Sequence, residues 1–116
     1  MLTSGEVVSV DLGLPAGREA GFRHPVVVVT AQRLLDAAPS VVHVVPLTSS
    51  LRGFASEVQI EAGALTGLRH TSSAQCQHLR AVSVDRLDMS ARPSNIGIVA
   101  LAQVREVIGL ILDTPG

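Results

Sequence analysis

Hydrophobic and polar positions along the first half of this 116-residue chain alternate in short segments, which is the pattern of β-strands. Residues 6–12 place apolar side chains at every second position. Residues 25–30 contain four consecutive valines, and a run of β-branched residues is typical of a strand that is buried on both faces. A third strand is predicted over residues 40–48, where Pro46 favours an edge position or a bulge.

The remaining pattern predicts further short strands and two helices. Residues 56–61 favour a strand, residues 72–84 one or two more, and residues 96–99 a short one. Residues 31–38 favour a short helix, and residues 100–112 have the spacing of a helix with one apolar face. The whole chain, residues 1–116, is therefore predicted to be one mainly β domain with short helices. We expect a small β-barrel or strongly bent sheet of roughly five to seven strands, capped by the C-terminal helix.

Composition narrows the function without identifying it. Hydrophobic residues make up 47% of the chain and only two residues are aromatic, so the core must be aliphatic. All nine basic residues are arginine, whose planar guanidinium group suits phosphate or carboxylate. The formal net charge of −1 gives no support for nucleic-acid binding by the protein as a whole. Any such role must come from a local patch.

The cysteine count and the N-terminus favour a cytoplasmic protein. Cys76 is the single cysteine, so no disulfide forms within the chain, and we expect it to be a small buried hydrophobe. The N-terminus lacks the basic start of a signal peptide, and the longest apolar runs are too short to span a bilayer. Cys76 and His78 lie two residues apart without a nearby ligand cluster, so no metal site is expected.

Candidate chemistry is concentrated directly before the valine strand, where Arg23 and His24 precede Pro25. Proline has a fixed φ and restricts the residue before it to extended conformations, so this pair lies at the start of a rigid strand. Arginine can clamp a phosphate, and histidine can accept or donate a proton near neutral pH. The alternatives are a solvated loop arginine and a histidine that only caps the strand.

Both aromatic residues lie in predicted loops beside an arginine. Phe22 precedes Arg23, and Phe54 follows Arg52 by two positions. An exposed aromatic ring stacks on the bases of single-stranded nucleic acid, so these rings are candidates for the edges of an RNA groove. The alternative is that each ring folds back and anchors its own loop.

Five segments resemble the MazF/PemK toxin family and follow one another in the order of that family along nearly the whole chain. The segments are residues 5–12 (GEVVSVDL), 19–29 (EAGFRHPVVVV), 44–49 (VVPLTS), 79–87 (LRAVSVDRL) and 96–97 (IG). Single segments of this kind are weak signals, but five in order are fairly specific.

The resemblance implies a fold, an activity and a set of partners. The fold is an SH3-like small β-barrel of the CcdB–PemK type with a C-terminal amphipathic helix, usually in a homodimer. The activity is endonucleolytic cleavage of single-stranded RNA by attack of the 2′-OH on the phosphodiester, without a metal or other cofactor. A MazE-like antitoxin neutralises such toxins by lying across the active groove.

The resemblance also implies the site residues. Thr48 would be the hydroxyl partner that orients the attacking group or binds a phosphate oxygen, although a threonine at the end of a strand can instead bond its own backbone. The catalytic set is then Arg23, His24 and Thr48, and the RNA-binding set is Phe22, Ser49, Arg52, Phe54 and His78.

One departure from the family concerns the mechanism directly. The family usually has arginine directly before the proline, but here that residue is His24, and Arg23 comes one position earlier. Because neighbouring residues of a strand point to opposite faces, either the loop bulges so that Arg23 reaches the site, or His24 has taken its place. His78 likewise stands where the family has glutamine.

Two alternative functions stay open at this stage. CcdB toxins share the fold but bind DNA gyrase and cleave no nucleic acid. The second alternative is a member of the family that has lost its activity because the arginine is shifted. Such a protein would bind RNA without cutting it.

Overall fold

The computed structural model describes residues 2–11, 23–89 and 93–114, so Phe22 lies outside the described residues. Within these ranges the chain forms seven strands and two helices. The strands are β1 (Val7–Asp11), β2 (Arg23–Val28), β3 (Val41–Thr48), β4 (Glu57–Ile60), β5 (Ser72–Gln75), β6 (Arg80–Ser83) and β7 (Leu87–Asp88), and the helices are α1 (Gln32–Leu35) and α2 (Gly97–Ile111). The mainly β fold with a C-terminal helix, predicted from the sequence, is confirmed.

The strands form one antiparallel sheet in the order β4-β5-β3-β2-β1-β7, and β6 pairs with β3 beside this path. Strand β3 is central and not at an edge. One side of it pairs with β2, while the other side pairs first with β6 and then with β5. Pro46 lies between the β6 and β5 pairings, so it stands where the ladder changes partner. This position tolerates a residue that has no N–H to donate.

The described part of the sheet is not closed, so of the two predicted forms, a small barrel or a strongly bent sheet, the structure favours the open sheet. Its two end strands, β4 and β7, do not pair with each other within the described residues. Strand β7 has only two residues, and β4 packs against helix α2. The helix thus covers β4, the end strand that would have to pair with β7 if the sheet closed.

Three of the four consecutive valines lie in β2 and the fourth, Val29, follows it directly. Together they contribute to both cores, as the sequence predicts. Val27 and Val29 point into a core that includes Leu101 and Val104 of α2. Val26 and Val28 point to the opposite face, into a second core. That second core also contains Val8, Val10, Leu35, Val42, Val44, Val82 and Leu87. The period-2 alternation of a strand therefore places a single valine run in two cores and holds its end in a fixed position.

Helix α2 begins earlier than its apolar pattern indicates. The short strand predicted over residues 96–99 is wrong, because Ile96 enters the core and the chain turns into the helix at Gly97. Gly97 has a φ of 88°, a conformation that glycine adopts without strain. Its N–H donates a hydrogen bond of 2.8 Å to Oδ1 of Asn95. In the ranges that the structure describes, no helix has the length and apolarity that a membrane crossing requires.

Candidate active site

The pairing of β2 with β3 brings His24 and Thr48 together. The ladder joins Val26 to Pro46 and Val27 to Val45. The ladder ends at the Val26–Pro46 pair, and its register continued by two residues would set His24 opposite Thr48. Directly opposed residues of an antiparallel pair point to one face with their Cβ atoms about 4.5–5.5 Å apart. The two side chains, both half-buried, are therefore neighbours.

Both residues line an open groove of about 310 Å³ at this end of the sheet. One wall comes from the start of β2 and the end of β3, and the other from the loop that enters β5. The lining residues are His24, Pro25, Leu47, Thr48, Ser49, Leu68, Arg69, His70 and Ser72. The groove thus combines two imidazoles, one guanidinium group and three hydroxyls over an apolar floor, a set of groups suited to a phosphodiester.

Hydrogen bonds fix the groove's hydroxyls and the opposite loop. The backbone N–H of Ser50 donates to Oγ1 of Thr48 at 3.2 Å. Ser72, which is 6% exposed, donates from Oγ to the carbonyl oxygen of His70 at 3.0 Å. Two of the three hydroxyls that line the groove, those of Thr48 and Ser72, are therefore held by hydrogen bonds.

Arg23 does not reach the groove. The β1–β2 ladder continues through this residue and pairs it with Asp11. Its guanidinium Nη1 lies 2.7 Å from Oδ2 of Asp88, and the side chain lines a separate charged hollow that includes Asp11, Asp85 and Asp88. The structure therefore brings His24 to Thr48 and leaves Arg23 on the other face.

Arg52 and Phe54 form a small stack in the loop between β3 and β4. The guanidinium carbon of Arg52 lies 4.6 Å from the centroid of the Phe54 ring, and its Nη2 lies 2.6 Å from Oε2 of Glu57. Phe54 as a residue stays 48% exposed. The stack is thus anchored on one side and open to solvent on the other.

Glu57, to which the sequence analysis gave no role in the site, anchors this stack. Its side chain is 2% exposed, and its Oε2 also accepts a hydrogen bond of 2.7 Å from Nε2 of Gln77. Burial raises the pKa of the Glu57 carboxyl, but the hydrogen bonds from Gln77 and Arg52 and the charge of Arg52 outweigh it. The net result is a pKa below the usual value of a glutamate, so the carboxylate is charged.

His78 lies away from the groove, exposed at the end of the 3-10 turn Cys76–His78. Cys76 itself is 1% exposed, with Sγ 3.8 Å from the carbonyl oxygens of Ala74 and Val104. Its burial raises the pKa of the thiol to about 11. Cys76 is therefore a buried, protonated thiol, as expected. In residues 2–11, 23–89 and 93–114 no group of His, Cys, Asp and Glu side chains is arranged to hold a metal ion.

The groove also contains residues that the sequence analysis did not assign to the site. Arg69, His70 and Ser72 join it because β5 pairs with the end of β3, with Thr48 opposite Ser73. Nothing local in the sequence indicates this pairing. The only available signal was an adjacent arginine and histidine before a run of small polar residues.

Comparisons with known proteins agree with this architecture. Residues 3–112 match the family described as PemK-like, MazF-like toxin of type II toxin-antitoxin system. Endoribonuclease MazF9 of Mycobacterium tuberculosis is 32% identical over 118 aligned positions, which cover 97% of this chain and 98% of that protein.

Two solved structures resemble the chain in fold. An endoribonuclease in complex with its cognate antitoxin from a mycobacterial species superposes with a TM-score of 0.76 at 18% identity, covering 100% of this chain and 99% of the other. MazE-MazF from Deinococcus radiodurans superposes with a TM-score of 0.72 at 21% identity, covering 97% and 95% of the two chains.

Proposed function

Because the chain belongs to the family of PemK-like, MazF-like toxins of type II toxin–antitoxin systems, we propose that it is the RNA-cleaving toxin of such a system. The substrate is single-stranded RNA, cut by attack of a 2′-OH on the adjacent phosphodiester. The observation that carries this proposal is the groove in which His24, Thr48 and Arg69 meet. These groups are the ones that the reaction needs.

Metal-free cleavage of RNA needs a base for the 2′-OH proton, an acid for the leaving 5′-oxygen and a cation for the charge on phosphorus. We assign one of the proton transfers to His24, since imidazole exchanges protons near neutral pH. Thr48, which lines the groove with His24, orients the attacking group or binds a phosphate oxygen. Arg69 supplies the cation, because it is the one arginine among the described residues that line the groove.

The stack of Arg52 and Phe54 is proposed to bind a base next to the cut. Half of the Phe54 ring is open, and base–aromatic stacking stabilises single-strand binding by about 1–3 kcal/mol per base. The ion pair with Glu57 offsets the charge of Arg52, so we assign Arg52 to positioning the ring. Ser49 binds the backbone from the groove wall. Arg23 and His78 lie outside the groove and receive no step of the reaction.

The proposed partners follow from the family. The mycobacterial endoribonuclease of the same fold forms a complex with its cognate antitoxin, and we propose such a partner for this chain. An acidic antitoxin segment would compete with RNA for Arg69 and the two histidines of the groove. A homodimer fits the apolar side chains that α2 exposes, among them Ile98 at 85% and Leu110 at 74%. The proposed place of action is the cytoplasm, where the RNA is.

The test is incubation of the purified chain with a long single-stranded RNA and with a stable RNA hairpin, both in excess EDTA. We expect cuts in the single-stranded RNA that leave a 2′,3′-cyclic phosphate and a 5′-OH. We also expect His24→Ala and Thr48→Ala to abolish these cuts while the proteins stay folded. Binding of DNA gyrase with no cleavage would instead identify a CcdB-like inhibitor. RNA binding with no cleavage would identify an impaired member of the family.

A further inference from the structure

We propose that His70 is a second catalytic residue of the groove and works across the scissile phosphate from His24. The inference rests on the proposed cleavage of RNA and adds to it a residue that the family resemblance does not supply. It divides the two proton transfers of the reaction between two histidines on opposite walls.

The position of His70 is defined by the strand that follows it. Strand β5 begins two residues later at Ser72, which pairs with Ile60 of β4. The side chain of Ser72 donates to the carbonyl oxygen of His70 at 3.0 Å, and Oγ1 of Thr71 lies 3.1 Å from Oε2 of Glu61. The carbonyl of His70 and the side chain of the next residue are therefore held in place, while the imidazole is exposed and lines the groove.

The stereochemistry of the reaction requires two proton-transfer groups on opposite sides of phosphorus. In an in-line displacement the attacking oxygen and the leaving oxygen lie on opposite sides of the phosphorus atom. His24 comes from the β2–β3 wall, and His70 comes from the loop wall. A phosphate lying between the walls would have one imidazole near each of its reacting oxygens.

Elimination leaves no other described candidate for the second transfer. The charged or titratable side chains among the described lining residues are His24, Arg69 and His70. Arginine keeps its proton in proteins, so it cannot act as acid or base. Glu61, the carboxylate beside the loop, does not line the groove and accepts the hydroxyl of Thr71.

The step balances without any further reactant. The 2′-oxygen forms a bond to phosphorus, and the bond between phosphorus and the 5′-oxygen breaks. One imidazole takes the proton from the 2′-OH, and the other, in its protonated form, donates a proton to the departing 5′-oxygen. The products are a 2′,3′-cyclic phosphate and a 5′-OH.

The test compares His70→Gln with His24→Gln in the full chain, with His43→Gln as the matched control. His43 is an exposed histidine of β3 that does not line the groove. The cut site is first mapped by sequencing a long RNA cleaved by the wild-type protein in EDTA. Single-turnover rates are then measured on a short RNA oligonucleotide that contains the mapped site. Losing a general acid or base costs about 10²–10⁴-fold, so we expect that loss for the first two variants and none for the control.

A substrate with sulfur in place of the 5′-oxygen at the cut separates the two roles. A thiolate leaves without protonation, so the variant that lacks the acid recovers on this substrate and the variant that lacks the base does not. We expect recovery in one of the two variants, and loss of one limb of the pH–rate profile in each. A His70→Gln rate within threefold of wild type, or recovery in neither variant, overturns the assignment of His70. Absence of cleavage by the wild-type protein overturns the proposed function itself, so the two failures are distinguishable.

Discussion

The replacement of Arg23 and of His24 by alanine, one at a time, tests which of these neighbours belongs to the reaction. The β1–β2 ladder pairs Arg23 with Asp11, and its guanidinium group binds Asp88 on one face of the sheet. His24 points to the other face and lines the groove with Thr48. We therefore expect His24→Ala to abolish cleavage and Arg23→Ala to leave most of it intact.

The expected magnitudes follow from the exposure of each group. The side chains of Arg23 and Asp88 are 67% and 31% exposed, and ion pairs of this kind contribute about 0–1 kcal/mol to stability. Arg23→Ala should therefore change the free energy of unfolding by less than about 1 kcal/mol. The loss of a proton-transfer group slows a reaction by about 10²–10⁴-fold, equivalent to about 2.7–5.4 kcal/mol of transition-state stabilisation. The cleavage rates of the two variants should then differ by about 100-fold or more.

The assay is single-turnover cleavage of an RNA oligonucleotide in EDTA, with urea unfolding of each variant alongside. Asp88→Asn is the matched control, since it breaks the same ion pair and keeps the arginine. Arg23→Ala could also weaken RNA binding to the extent that added salt weakens it in the wild type. That result would show that Arg23 attracts RNA by long-range electrostatics. A loss of about 100-fold or more in Arg23→Ala, with His24→Ala within about tenfold of the wild type, would refute the placement of His24 in the reaction.

Three further predictions concern the stack of Arg52 and Phe54, the core under α2 and the ion pair of Glu57. Phe54→Ala should weaken binding of a single-stranded RNA with a 2′-deoxy cut site by about 1–3 kcal/mol, measured by fluorescence anisotropy, and should barely change stability. Lower stability with unchanged RNA affinity would show that the ring is only a loop anchor. Leu101→Ala should lower the free energy of urea unfolding by about 2–5 kcal/mol, because Leu101 is 7% exposed in the core under α2. Glu106→Ala, at an exposed polar position of the same helix, should change it by less than about 0.5 kcal/mol, and equal losses would contradict the placement of the helix. Glu57→Gln should destabilise the fold at about pH 7, because the lowered pKa of Glu57 means that its charged form is stabilised in the folded state. The difference from the wild type should disappear as the pH falls through the folded pKa of Glu57, and a pH-independent difference in urea unfolding would count against this ion pair.

The sequence predicts the core of this fold well because the signals are local. Four consecutive valines have no solvent-facing side, so they indicate a strand buried on both faces, and the two cores contain them as expected. The apolar spacing of the C-terminal segment likewise indicates a helix. Its start at Gly97 was missed because it depends on one hydrogen bond to Asn95, which the periodicity of apolar residues does not report.

The candidate site is predicted less completely because it depends on long-range pairing. His24, Thr48 and Ser49 follow from segments that the resemblance aligns, and the groove contains all three. Arg69 and His70 come from a loop whose position is set by the pairing of β5 with the end of β3. Hydrophobic periodicity identifies strands but does not say which strands become neighbours.

The sequence left open whether the sheet closes into a barrel or stays a bent sheet, for a related reason. Whether a sheet closes depends on the lengths and register of its end strands, and these are decided by what covers the edges. Here β7 is limited to Leu87–Asp88, and β4 packs against α2. The number of strands alone predicts neither the length of β7 nor the packing of β4 against α2.

The register of β1 and β2 decides between the two interpretations that the sequence left open for Arg23 and His24. A bulge that carried Arg23 to the groove would have to release its pairing with Asp11 and its ion pair with Asp88. It would also shift His24 to the opposite face, where it would no longer stand across from Thr48. No bulge is present, because the ladder runs from the Val7–Val27 pair to the Asp11–Arg23 pair without an extra residue. The cation of the groove therefore comes from the wall opposite β2, and the position before Pro25 supplies an imidazole. In the proposed mechanism, charge stabilisation by Arg69 and the proton transfer by His24 are thus assigned to different side chains of the groove.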